Sequence, residues 1–258
     1  MSRAKIGIQG PLRRTTPGWR IGCAGVSLLE LLIALTISSV AISAAIHMFS
    51  AYGSRFTSQH SAMVSNQELR LGLDVLCSEL RLVGAGLLGG DSPFLTAELD
   101  DIEFFANLSG SVTTLTQTAE IGRQDLPVEE GAGWPKGKQL LLCTAVRCVW
   151  NRLAADGRKQ TLTLTTPTAE LLPSRTEVML LNRVRYYLKR HDDGTRRLMR
   201  EVDGGASTLL ADVVEFELRY LNRDGHFTTD SREVARIRVT VGVGQERSRL
   251  MRDIAIRT

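Results

Sequence analysis

"GVSLLELLIALTISSVAISAAIHMF", residues Gly25–Phe49, is a membrane-grade apolar stretch with a single carboxylate, Glu30. An ionisable side chain at the centre of a bilayer helix costs about 2.5–3.5 kcal/mol on insertion scales. Leu31–Phe49 alone has the length needed to cross a hydrocarbon core at the helical rise. Before it stand Arg3, Lys5, Arg13, Arg14 and Arg20, with no acid. The positive-inside rule keeps that flank cytoplasmic and places the chain after Tyr52 on the periplasmic or external side. The net charge of +4 belongs to this leader, because the rest of the 258 residues is close to balance. The basic total is therefore no signal for nucleic-acid binding.

Ordinary targeting signals fit poorly. A secretory signal cut near Ser43-Ala44-Ala45 would carry Glu30 in a core that is normally uncharged. A lipoprotein signal ending at Cys23 would have its apolar segment before the cysteine, not after it. A twin-arginine signal at Arg13-Arg14 would sit closer to the apolar run. A plain signal anchor is the remaining alternative.

Gly25-Val26-Ser27-Leu28-Leu29-Glu30, leading into an apolar helix behind a basic leader, resembles the cleavage and methylation motif of type IV prepilins and type II secretion pseudopilins. The resemblance implies that a prepilin peptidase cuts between Gly25 and Val26 and that Val26 is then N-methylated. Val26 stands where the family usually has Phe, and Ala24 precedes Gly25. After the cut, Val26 and Glu30 are i, i+4 neighbours on one helix face. The family implies that Glu30 meets the α-amine of a neighbouring subunit, so that the pair sets register in a filament.

Beyond the membrane, Leu69, Leu73, Leu76, Leu80 and Val83 recur at spacings of four and three, with Ala62 seven before Leu69. That stripe predicts an amphipathic helix. Glu68, Arg70, Asp74, Glu79 and Arg81 fall off it, and Gly84 and Gly86 signal its end. Asn66–Gly86 also resembles the corresponding helix of PilW-like minor pilins, carried by Arg70, Asp74, Leu80, Arg81 and Gly84. Any amphipathic stalk helix is the alternative.

The remainder alternates as strands over Asp101–Leu108, Lys138–Trp150, Lys159–Thr166, Glu177–Arg190, Arg196–Val202, Val213–Asn222 and Val234–Gly244. Turn signals stand at Ala155-Asp156-Gly157, Asp192-Asp193-Gly194 and Arg223-Asp224-Gly225. The Val184–Val202 hairpin, a connector and the Val213 strand resemble the C-terminal sheet of PilW-like pilins and pseudopilin J. Ser109–Lys138 is expected as a turn-rich insertion or loop region.

Four cysteines are present. In an oxidising compartment Cys143 and Cys148 are expected to form a disulfide, two reduced thiols being the alternative. Cys77 is expected as a small buried hydrophobe. His47, His60, His191 and His226 are scattered, and no catalytic or phosphate-loop motif is present. Asn222–Glu233 does not keep calcium-loop spacing, and a hairpin turn is expected there. Arg183, Arg185, Lys189, Arg190, Arg196, Arg197 and Arg200 crowd one hairpin, expected as a charged solvent face.

The expected fold is α+β and pilin-like, a long N-terminal helix packed on an antiparallel β-sheet head. Residues 1–25 are expected as a cleaved leader, 26–52 as the transmembrane helix, 53–86 as the stalk and 87–258 as the β-rich head. The expected function is that of a PilW-like minor pilin or pseudopilin in filament initiation or assembly, not an enzyme. Its precursor would lie in the inner membrane, and its partners would be a prepilin peptidase and other pilin-like subunits. Neither cofactor, metal nor nucleic acid is expected. Pseudopilin J of type II secretion is an alternative, and an anchored periplasmic binding module that never polymerises is another.

Overall fold

The computed structural model describes residues 27–84, 92–192, 194–244 and 248–256. Helix α1 runs Leu28–Leu80, 53 residues. A tighter turn follows, with Leu82 N–H donating to Glu79 O and Val83 N–H to Leu80 O. Gly84, at φ 75°, ends it in the left-handed region. The chain divides into two compact units, one reaching Ser58 and one from Gln59 onward.

In the first unit α1 is apolar all round and buries nothing of itself. In the second unit its predicted stripe is the centre of the core: Leu69, Leu73, Leu76, Leu80 and Val83 are all buried. Burial begins at Leu69, with Ala62 only half-buried.

Strands β1 (Phe94–Ala97), β2 (Asp101–Ala106) and β3 (Val112–Thr114) follow the helix. They are followed by β4 (Asp125–Pro127), β5 (Gln139–Cys143), β6 (Cys148–Arg152), β7 (Thr161–Thr163) and the 14-residue β8 (Glu177–Arg190). Then come β9 (Arg196–Val202), β10 (Gly205–Leu210), β11 (Val213–Leu221), β12 (Arg236–Val243) and β13 (Ser248–Ala255). All strand pairings are antiparallel, in an eight-stranded sheet, the three-stranded sheet β11-β12-β13 and the small pair β4-β7. The α+β layout of one long apolar N-terminal helix followed by antiparallel sheets is therefore the fold.

Strand β8 organises the large sheet. Its first half pairs with β3 and β5, and its second half with β2 and β9. Because strand side chains alternate, its even-numbered residues share one face. Val184 and Tyr186 enter the core built on α1, together with Ile102, Phe104, Leu198, Leu218 and Val239. Val178 and Leu180 enter a second core with Leu126, Trp134, Leu140 and Leu162.

That second core corrects two expectations. Ser109–Lys138 is not an open insertion, since Leu115, Ala119, Leu126, Val128 and Trp134 within it are buried. Its strands are only three residues long, too short for periodicity to announce. Lys138–Trp150 is not one strand but the β5–β6 hairpin. The Thr144 hydroxyl holds its turn by accepting from Val146 N–H and Arg147 N–H. Cys143 and Cys148 face each other across it, joined by a disulfide with Cα atoms 4.0 Å apart.

The connector between Val202 and Val213 is also a strand, β10. It begins at the turn Asp203-Gly204, where both residues have positive φ (53° and 90°), as a two-residue hairpin of the primed type requires. Burial pushes the Asp203 carboxyl up, but donors from Lys138, Asn182 and Arg183 N–H outweigh it and hold it below its ordinary value. Strand β10 lies close against α1, and a Cβ at Gly72 would meet Leu210 at 2.6 Å.

Glu79 is the largest departure from the helical pattern. It lies off the apolar stripe yet is only 8% exposed. Arg200 Nε donates to both its carboxylate oxygens at 3.0 Å, and the Tyr186 hydroxyl donates to Oε2. Burial and the neighbouring Glu79 hydrogen bond push the Tyr186 phenol far above its ordinary value. A buried carboxylate left without its cation is strongly destabilising, whereas removing both charges is often tolerated. Arg200→Met should therefore lower stability by about 3 kcal/mol, and adding Glu79→Leu should recover much of the loss. Urea unfolding of the full chain in detergent, read as a double-mutant cycle, checks both.

The disulfide closes a short loop, so Cys143→Ser with Cys148→Ser should cost about 2 kcal/mol by chain entropy. Burial raises the thiol of Cys77, the one free cysteine among the described residues, above its ordinary value. Mass spectrometry after alkylation should find Cys77 unmodified until the protein is unfolded.

Candidate functional site

Gly25 and Val26 lie outside the described residues. Glu30 stands in the first turn of α1, which opens with Glu30 N–H and Leu31 N–H donating to Ser27 O at 2.9 and 3.1 Å. A carboxylate at that end is favoured by the helix dipole. Glu30 is exposed and makes no ion pair among the described residues.

The surface around it is predominantly apolar. Leu28 is 80% exposed and Phe49 is 80% exposed, and every large side chain between them is bare. By length and composition α1 is able to cross a membrane. Several of its hydroxyls bond back within the helix. Thr36 donates to Ile33 O at 2.8 Å, Ser39 to Thr36 O at 2.8 Å, and Ser50 to His47 O at 3.0 Å. Lipid or a packed helix thus meets few unsatisfied polar groups there. Glu30 is the exception, the only Asp, Glu, Lys or Arg from Leu28 to Phe49.

The other singled-out residues form no second site. Arg183 pairs with Glu103, Arg185 with Asp101 and Arg200 with Glu79, so much of the arginine-rich hairpin is neutralised. Arg185 also lies over the Tyr187 ring at 4.7 Å. In Asn222–Glu233 the oxygens serve the turn itself. Asn222 Oδ1 accepts from Asp224 N–H and His226 N–H, and Asp230 Oδ1 accepts from Arg232 N–H. Among the described residues no group of three or more His, Cys, Asp or Glu is placed to hold a metal. The buried Glu79–Arg200–Tyr186 cluster was missed by the pattern, because periodicity reports apolar positions and carries no sign of a paired charge.

Residues 20–46 match the family described as the prokaryotic N-terminal methylation motif. No curated protein and no solved structure matches the chain. The chain thus carries a prepilin-type motif, and the match runs from the end of the basic leader into the bare apolar helix.

Removing the carboxylate should make lipid a better solvent for this helix. Glu30→Ala should insert at least as well as wild type. The gain should fall below the roughly 2.5–3.5 kcal/mol of a mid-bilayer charge, because Glu30 lies near the helix end. The inserted fraction in a translocation assay measures it.

Proposed function

We propose that this protein is a minor pilin or pseudopilin, made as a single-pass membrane precursor with a cytoplasmic N-terminus. A prepilin peptidase cuts it after Gly25 and methylates Val26. The mature subunit then joins other pilin-like subunits through α1 in the initiation or assembly of a type IV pilus or related secretion filament. The carrying observation is the methylation motif lying on a helix whose first half is exposed and packs on nothing among the described residues. In this reading Glu30 meets the Val26 amine of a neighbour once the helix leaves lipid, and their pairing sets register.

The second unit adds support. Val64, Leu71 and Val75 are 41%, 61% and 39% exposed, on the side of α1 opposite its buried stripe. They recur at spacings of seven and four, an apolar row that a neighbouring packed helix would cover. A lone binding module has no need of a second apolar seam, which favours a polymerising subunit over that alternative. A tip subunit of the pseudopilin J kind would share all these features.

Co-expression with a prepilin peptidase should leave a methylated Val26 as the first residue, seen by intact mass. Gly25→Val should block the cut, and a mature terminus near His47 would point to an ordinary signal peptide instead. Glu30→Ala and Leu71→Asp should each leave membrane levels unchanged and lower the subunit's share of sheared filaments. Loss of a buried leucine contact of about 1.5–3 kcal/mol corresponds to about tenfold or more. Wild-type incorporation of both variants would rule out the helix-packing role.

A further inference from the structure

The large sheet stops at β10, which pairs with β9 alone. Val202 and Gly205 face each other across the two-residue turn and form its closing, hydrogen-bonded pair. In an antiparallel ladder alternate residues turn both backbone groups away from the neighbouring strand. Counted from that pair, Ala206 and Thr208 are such residues. Both are exposed, and their backbone groups meet no partner among the described residues. From Gly205 to Leu210 the strand carries neither charge nor proline, the usual guards of an open edge. Its one irregularity lies at the far end, between Thr208 and Leu210.

Beside this edge α1 has apolar surface that no strand covers. Gly72 lies against Leu210, yet Leu71 and Val75 next to it are exposed. With Glu68, Thr208, Leu209 and Ala211 they line an open groove of about 410 Å³. Glu68 is exposed and makes no ion pair among the described residues. The faces of β10 are fixed by its partner strand. Arg200, opposite Ser207, reaches Glu79 on α1, so Ser207 lies on the helix side. Ala206 and Thr208 alternate to the other side.

We infer that an extended segment of a partner protein adds to β10 as an antiparallel strand and roofs this groove. Two of its residues exchange backbone bonds with Ala206 and Thr208, and their side chains point away from α1. The residues between them are apolar and rest on Leu71 and Val75. A Lys or Arg at the end of the segment meets Glu68. A covering helix would hide Leu71 and Val75 but would cut the edge groups of Ala206 and Thr208 off from water without satisfying them. An antiparallel strand satisfies both, and antiparallel pairing is the stronger kind per residue. The inference rests on the filament reading only in taking the Val64, Leu71 and Val75 row as an interface, and it names what fills the part beside β10.

The test uses the full chain dispersed in detergent micelles, with no filament present, so loss of the filament reading alone would leave its result standing. The probe is an end-blocked heptapeptide of lysine, valine, threonine, valine, threonine, valine and lysine. Amide hydrogen exchange at Ala206 and Thr208 is followed by NMR, and saturating peptide should slow both about tenfold. In the inferred pairing the threonine amides face β10 and the valine amides face solvent. N-methylation of both threonines should therefore abolish protection, whereas N-methylation of the central valine should preserve it. Ala206→Pro removes the outward N–H without touching the bonds to β9, and should abolish protection at Thr208. Glu68→Lys should raise the peptide concentration needed about threefold. Equal behaviour of the two N-methylated peptides would overturn the inference, as would unprotected amides at about 1 mM peptide. Slowing that follows protein concentration without peptide would assign the edge to a second copy of this chain and overturn it too.

Discussion

Helix α1 has to satisfy two surroundings with one rod. From Leu69 to Val83 it is amphipathic, and its stripe leaves water by packing among β-strands. From Leu28 to Phe49 it is predominantly apolar and exposed, with nothing among the described residues to pack on. Water is a poor solvent for that half, so its free energy is lowered only by lipid or by other helices. The internally bonded hydroxyls of Thr36, Ser39 and Ser50 serve either surrounding. Glu30 is a cost in hydrocarbon, because lipid chains cannot satisfy a carboxylate.

Within the second unit the helix is held by more than apolar contact. Tyr186 and Arg200, opposite one another on β8 and β9, both reach Glu79 on α1. Hydrophobic packing tolerates sliding by a residue, but a buried carboxylate between two fixed donors does not. The contact thus specifies one position of the helix on the sheet. The same strands use their other face for Arg183–Glu103 and Arg185–Asp101 pairs, bridging β8 and β2. Three of the seven basic residues named on that hairpin are ion-paired, two of them across strands.

Strand β8 also explains why two cores coexist in one unit. At 14 residues it is long enough to pass from one to the other, changing its neighbours at its middle. The β5–β6 hairpin, closed by Cys143–Cys148, lies at the second core, and the three-stranded sheet lies at the first.

The sequence by itself determined the helix, the apolar stripe and most of the long strands, because each is a local repeat. Hydrophobicity all round, spacing of four and three, and alternation along Glu177–Arg190 survive in any arrangement of the chain. It also carried the methylation motif over residues 20–46, since such a motif is a linear segment. Strand β10 was legible too, through Asp203-Gly204, had that dipeptide been read as a hairpin turn. The tertiary structure alone decided that Ser109–Lys138 folds around Leu126 and Trp134. It also decided that Arg183 and Arg185 are neutralised and that Glu79 is buried. Those outcomes depend on residues such as Glu79 and Arg200, 121 positions apart, meeting across a core. No local period encodes such a meeting. Whether a charge is solvated or paired is set by what the fold places opposite it.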